Sequence, residues 1–181
     1  MANAYSAVFG QSNQAKGSHG FISGWSNTIH SEGASHSGVI GMKNYIGYGG
    51  YYSLVAGLNN ISHNNGAMVL GAGLISSSNY SLTVGRLNKE VSGGLFVVGN
   101  GTGDVKECSI NQTTNQIEYN GATPANAFVV YQDGHAEVAS DNTSIDNSVP
   151  RWKTVKEDLS KKDNATSYNS YVTTNNSKNT E

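Results

Sequence analysis

Seven copies of one phrase fill residues 5 to 102, each built on a glycine: Gly10, Gly24, Gly41, Gly57, Gly71, Gly85 and Gly99. Successive anchors lie 14, 17, 16, 14, 14 and 14 residues apart. A unit this short cannot bury a face on its own, so such copies must stack on one another as turns of a repeat architecture. Composition agrees. Hydrophobic residues are 36% of the 181 and charged residues 13%, below the averages of about 45–50% and 25%. Helical bundles and doubly wound α/β enzymes need long Leu/Ala/Glu/Lys-rich helices and are excluded. With only two prolines and few charges the chain does not read as disordered either.

The neighbours of each anchor are fixed too. Asn13, Asn27, Asn44, Asn60 and Asn88 stand three residues after it, with Leu74 and Thr102 as departures. Four residues before it the side chain is small in Ser6, Gly20, Ser37, Ser53, Ala67 and Ser81, Leu95 being the exception. Between lies a mostly apolar triplet, such as Leu54-Val55-Ala56 or Met68-Val69-Leu70. Three apolar residues between small and turn-forming ones predict a short strand. The glycine supplies a turn with positive φ, and the asparagine either takes the left-handed region or bonds to local backbone. A second apolar position follows at Ala15, Ile29, Ile46, Ile61, Ile75 and Val91. Each repeat therefore predicts two short strands and two turns, one coil of an all-β parallel solenoid. Seven coils at about 4.8 Å each give a rod about 30 Å tall.

A strand with one wet face alternates apolar and polar residues, yet most triplets are apolar on both faces. One face can line the interior of the coil. The other predicts cover by a further copy in a symmetric homo-oligomer.

The phrase small-x-Val-x-Gly-x-x-Asn, as in Ser53-Leu54-Val55-Ala56-Gly57-Leu58-Asn59-Asn60, resembles the head repeat of YadA-like trimeric adhesins, which recurs in bacteriophage tail fibres. Ser35-His36-Ser37-Gly38 and Ser18-His19-Gly20 are similar to a variant common in fibre proteins of phages of Gram-positive bacteria. The resemblance covers residues 4 to 104. It implies a trimeric left-handed parallel β-solenoid (β-roll) head. The central triplet residue is more often Val than the family's Ala, and two coils carry insertions.

Val97-Val98-Gly99-Asn100-Gly101-Thr102-Gly103-Asp104 resembles the phrase that closes such heads. The run 126–139 matches the hairpin that follows in fibres, and its Asp133-Gly134 is a tight-turn signal by itself. The resemblance makes this hairpin a neck. Between the two lies an insert, 105–125, whose runs Lys106 to Ile110 and Gln116 to Tyr119 predict an extra hairpin. It either projects from the rod as a contact surface or widens the base of the head. Trp152, Val155 and Leu159 after Pro150 predict a short helix or stalk start over 150–163. The Asn/Ser/Thr-rich run 164–181 reads as a linker or disordered tail.

Charge and cysteine narrow the partners. A net charge of -2 offers no basic field for nucleic acid, and the single Cys108 builds neither a disulfide framework nor a thiolate zinc site. No apolar run is long enough for a membrane helix, and MANAYSAVFG lacks the pattern of a signal peptide. No membrane insertion, cofactor, metal or catalytic set is expected. His19 and His36 share their position, five before the anchor, with Tyr5, Tyr52 and Tyr80. Tyrosine would be a poor replacement in a ligand set, so the equivalence predicts a column of flat side chains. That column, with Trp25 and with Tyr119 of the insert, supplies the candidate receptor contacts; edge packing between subunits is the competing role for the column.

The resemblance then implies a structural attachment protein of a bacteriophage tail fibre, not an enzyme. Its partners would be two further copies, other virion tail proteins and a bacterial cell-surface glycan. Its location would be the virion, after assembly in the host cytoplasm. The competing readings are a bacterial-surface trimeric autotransporter adhesin, a fibre-borne polysaccharide-degrading enzyme and a pure structural spacer.

Overall fold

The computed structural model describes residues 5–30 and 34–139. The helix expected over 150–163 and the tail 164–181 lie outside the described residues. Five coils carry a long strand and a short one: β1 (Ala7–Gln11) with β2 (Gln14–Ala15), β3 (Phe21–Trp25) with β4 (Thr28–Ile29), β5 (Gly38–Met42) with β6 (Tyr45–Ile46), β7 (Leu54–Leu58) with β8 (Ile61–Ser62), and β9 (Met68–Ala72) with β10 (Ile75–Ser76). Two more long strands follow, β11 (Leu82–Arg86) and β12 (Gly94–Asn100). The long strands pair in parallel in the order β1-β3-β5-β7-β9-β11-β12, and the short ones form a second sheet, β10-β8-β6-β4-β2. The described residues thus form an all-β parallel solenoid, and the only helical element among them is a 3-10 turn, Val105–Glu107.

The register follows the glycines. Gly10, Gly24, Gly41, Gly57, Gly71, Gly85 and Gly99 pair in one continuous column, and the two longer coils leave it intact because their extra residues sit in the turns. The anchors from Gly10 to Gly85 have φ between +98° and +152°. A β-carbon on Gly57 would lie 1.8 Å from the carbonyl oxygen of Gly71, and the other five positions give 1.9 to 2.2 Å to the next coil's glycine. Only glycine fits there. The carbonyl that takes up this space is bonded by the asparagine three residues on: Asn13, Asn27, Asn44 and Asn60 donate from Nδ2 to the oxygens of Gly24, Gly41, Gly57 and Gly71 at 2.7–2.8 Å. Their Oδ1 atoms accept from the backbone N–H of the equivalent residue one coil further, at 2.9–3.0 Å.

This refines the expected turn. The asparagine bonds to backbone, and the left-handed residue is the one before it: Ser12, Ser26, Lys43, Asn59 and Leu87 have φ of 45–59°. A parallel column of small residues clasps the opposite corner. Ser37 Oγ donates to Gly50 O and accepts from Ser53 N, and Ser53 Oγ repeats this with Asn64 O and Ala67 N.

Inside, the middle residues of the triplets meet the short strands. Ile22, Val39, Val55 and Val69 cluster with Ile29 and Ile46 and are fully buried, whereas in the next two coils Ser62 and Ser76 take the inward register and Ile61 and Ile75 lie on the other face of the short-strand sheet, under the insert. The residues that flank the middle one point outward; Phe9 is 59% exposed, Ile40 46%, and Phe21 and Met68 42%, while Leu54, Leu70, Leu82 and Phe96 are half-buried.

Seven phrases make about six turns, not seven full coils. Val91, expected on a sixth short strand, is in none. The asparagine of that copy is the reason. Asn88 turns its amide back, accepting from Ile75 N at 2.8 Å and donating to Ile75 O at 3.0 Å. Its side chain takes the place of the next strand and ends the short-strand sheet at β10.

The insert carries the expected hairpin, β13 (Ser109–Asn111) antiparallel to β14 (Gln116–Glu118). It does not project. Val105, Cys108 and Ile117 pack with Tyr45, Ile61, Ile75 and Leu87 of the coils into one buried cluster. The hairpin at 126–139 is also present: β15 (Asn126–Tyr131) pairs antiparallel with β12, and β16 (Ala136–Val138) with β15. It extends the long-strand sheet by two strands instead of leaving it.

Gly57→Ala should lower stability by at least about 2–3 kcal/mol, since a left-handed backbone costs about 1–3 kcal/mol for other residues and the clash adds to it. Gly93→Ala, also at positive φ but with nothing within 4 Å of its β-carbon, is the control. Urea unfolding of both measures the difference; equal losses would show that the glycine column is a matter of φ alone.

Candidate functional site

The solenoid gathers five of the seven candidate residues into one column. Tyr5 stacks on His19 with ring centroids 5.1 Å apart, His19 on His36 at 4.6 Å and 5° between planes, and His36 lies 5.5 Å from Tyr52. The next coil has Gly66 at this position, and Tyr80 from the coil after it lies over that glycine, Cδ1 falling 2.6 Å from where a β-carbon would be. All six positions are left-handed, with φ of 53–64°. That conformation is costly for tyrosine and histidine. It is held by backbone bonds that step from coil to coil, His36 N to Ser18 O, Tyr52 N to Ser35 O, Gly66 N to Tyr51 O and Tyr80 N to Asn65 O. Among Tyr5, His19, His36 and Tyr52 the ring faces are turned on one another along the stack, so the column presents edges to solvent. Tyr5 ends it, 84% exposed.

Trp25 stands apart, one residue after its glycine, 41% exposed with the Lys43 ammonium 5.8 Å from its ring centroid. Tyr119 lies on the insert and is half-buried. Its hydroxyl donates to Asn88 O at 2.9 Å, and burial first, then the charge of Glu90 and the Cys108 thiol, push its pKa up to about 12. Tyr119 is thus a strut between insert and rod.

The contact that sequence reasoning missed is Asn59. This residue is 1% exposed and donates from Nδ2 to Val105 O at 2.8 Å and to Cys108 O at 3.0 Å. It fastens the insert to the rod, and its own Oδ1 has no hydrogen-bond partner. An asparagine where other copies have Ser, Lys, Gly or Leu was the available signal. On the same flank His63 lies 4.0 Å from Glu90. Burial holds the His63 imidazole below its ordinary value, with the Glu90 charge opposing. Burial, then Asp104 and Glu107, push the Cys108 thiol up, which leaves it protonated and inert at neutral pH. Among the described residues no group of three His, Cys, Asp or Glu side chains converges.

Comparisons with protein-family models, with curated proteins and with solved structures gave no match.

Because the folded state binds the His63 proton less well than the unfolded chain, His63 contributes its full share of stability above about pH 6.5 and progressively less as the pH falls through that value toward the lower folded one. Urea midpoints from pH 8 to 5 should fall more for the natural chain than for His63→Gln; parallel curves would remove His63 as the cause.

Proposed function

We propose that this chain is the head of a trimeric attachment fibre of a bacteriophage, three left-handed solenoids side by side, that binds a polymer on the bacterial surface. One observation carries the assembly. The outward positions before the glycines run Ala7, Phe21, Gly38, Leu54, Met68, Leu82 and Phe96 in one column and Phe9, Ser23, Ile40, Ala56, Leu70, Val84 and Val98 in the next. These fourteen positions hold no charge and one hydroxyl. A sheet face that meets water alternates polar residues with apolar ones, and an apolar patch of this extent marks an interface. Its self-similarity from coil to coil suits a second and third copy of the same rod in register.

The attachment role rests on the resemblance of the repeat to adhesin and fibre heads. The hairpin β15–β16, extending the sheet at the end of the rod, suits the neck that leads on to the rest of a fibre. The aromatic column and the turns along the flank are then the surfaces that three copies would display around the axis.

The test is sedimentation of the full chain with isolated cell walls from a panel of Gram-positive bacteria. Saturable binding to some walls, lost when their surface glycans are stripped, is the expected result. Binding to none, at protein concentrations up to about 100 μM, would reduce the protein to a spacer, and shortening of the glycan would make it an enzyme; the affinity implied by that ceiling is only about 5–6 kcal/mol per site.

A further inference from the structure

The two ends of the solenoid differ. At the hairpin end the chain closes itself, since β15 covers the outer edge of β12 and Asn88 ends the short-strand sheet. At the other end β1 and β2 are the edge strands of their sheets. Terminal coils of repeat proteins need a cap, and free edges are blunted by charge, proline or a bulge. From Tyr5 to Ala15 there is neither charge nor proline, and the register of β1 on β3 is unbroken over all five residues. The interior is open here too: Val8 is only partly buried, whereas Ile22, its equivalent one coil on, is fully buried.

The joint between the first two coils shows what the open coil lacks. Beyond the strand ladder, Gly24 O accepts from Asn13 Nδ2 at 2.7 Å and Asn27 O from Gln14 N at 2.9 Å. In return Ser26 N donates to Gln11 O at 3.0 Å and Asn27 N to Asn13 Oδ1 at 2.9 Å. By the repeat, the equivalent groups of the first coil, Gly10 O, Asn13 O, Ser12 N and Asn13 N, face the open end. Among the described residues Ser12 N and Asn13 N have no acceptor. Tyr5 carries the same signature, with His19 against one face of its ring and no described ring against the other.

A mate must bring an asparagine amide to Gly10 O and Asn13 N. The first coil of another copy cannot, because the Asn13 amide is already held by Phe9 O, Gly24 O and Asn27 N. The hairpin end cannot either, because it is closed. We propose that the first coil is a docking edge for a parallel coil of the same phrase, small-x-apolar-x-Gly-x-x-Asn, carried by another polypeptide. Such a coil adds one turn to the rod and one strand to each sheet. The inference needs only the solenoid and stands apart from the attachment reading.

The test is amide hydrogen exchange of the full chain, alone and with a synthetic two-coil peptide of residues 37–66, which ends on the coil of Asn60. Alone, Ser12 and Asn13 should exchange at least about tenfold faster than Ser26 and Asn27. Excess peptide should slow Ser12 and Asn13 at least about tenfold, or about 1.4 kcal/mol, and leave residues 126–139 unchanged. Asn60→Ala in the peptide should weaken binding about tenfold, and a scrambled peptide should not protect. Slow exchange of Ser12 and Asn13 in the chain alone, or no protection at peptide concentrations up to about 1 mM, would overturn the proposal. So would equal protection by the scrambled or Asn60→Ala peptide. Protection that instead rises with the chain's own concentration, together with a doubled mass in sedimentation, would make the edge a contact between copies and overturn it as well.

Discussion

The structure depends on a clasp between glycine and asparagine. At six long-strand turns the glycine carbonyl of one coil enters the space where the previous coil's glycine would carry a β-carbon, and at four of them that previous coil's asparagine bonds to it. Without glycine the carbonyl has no room, and the asparagine gives that carbonyl a hydrogen bond, which Leu74 and Asn88 do not supply to the carbonyls of Gly85 and Gly99 although the glycine column continues there. Each asparagine also accepts from the next one's N–H, so the clasps join into a ladder through Asn13, Asn27, Asn44 and Asn60 to Leu74. This is how a coil with so few apolar residues keeps its register.

The same economy leaves the solenoid incomplete. A coil buries the middle residue of its triplet in an interior shared with the short strands, Ile22, Val39 and Val55 with Ile29 and Ile46, and has nothing left to cover the outer face of the long-strand sheet. On the opposite flank the chain solves that problem itself, since the insert folds back over Tyr45, Ile61, Ile75 and Leu87. On the sheet face it does not, and Phe9, Phe21, Ile40 and Met68 stay in solvent.

The repeat was legible because the constraints that make it are local and recur. Glycine, asparagine and the apolar triplet mark the turn, its clasp and its strand in every coil, and the shared position of Tyr5, His19, His36, Tyr52 and Tyr80 announced their column. What could not be read was set by long-range or single contacts. Asn88 repeats the motif's letter but turns to Ile75, 13 residues back, and ends a sheet where Val91 suggested one more strand. Asn59 fastens a segment 46 residues away, and although its departure from the other copies marks the position, nothing in the repeat names the partner. The insert's hairpin was visible in its two runs, but its direction depends on Val105, Cys108 and Ile117 finding an apolar flank that only the folded coils create.

If the outward face is completed by other copies, the protein is a trimer in solution, and sedimentation equilibrium of the full chain measures this directly. A mass near three times the single chain's 19.1 kDa, unchanged on dilution to low micromolar concentration, is the predicted result. A well-folded species with the mass of one chain would contradict it, because the fourteen outward positions would then be a face that water covers.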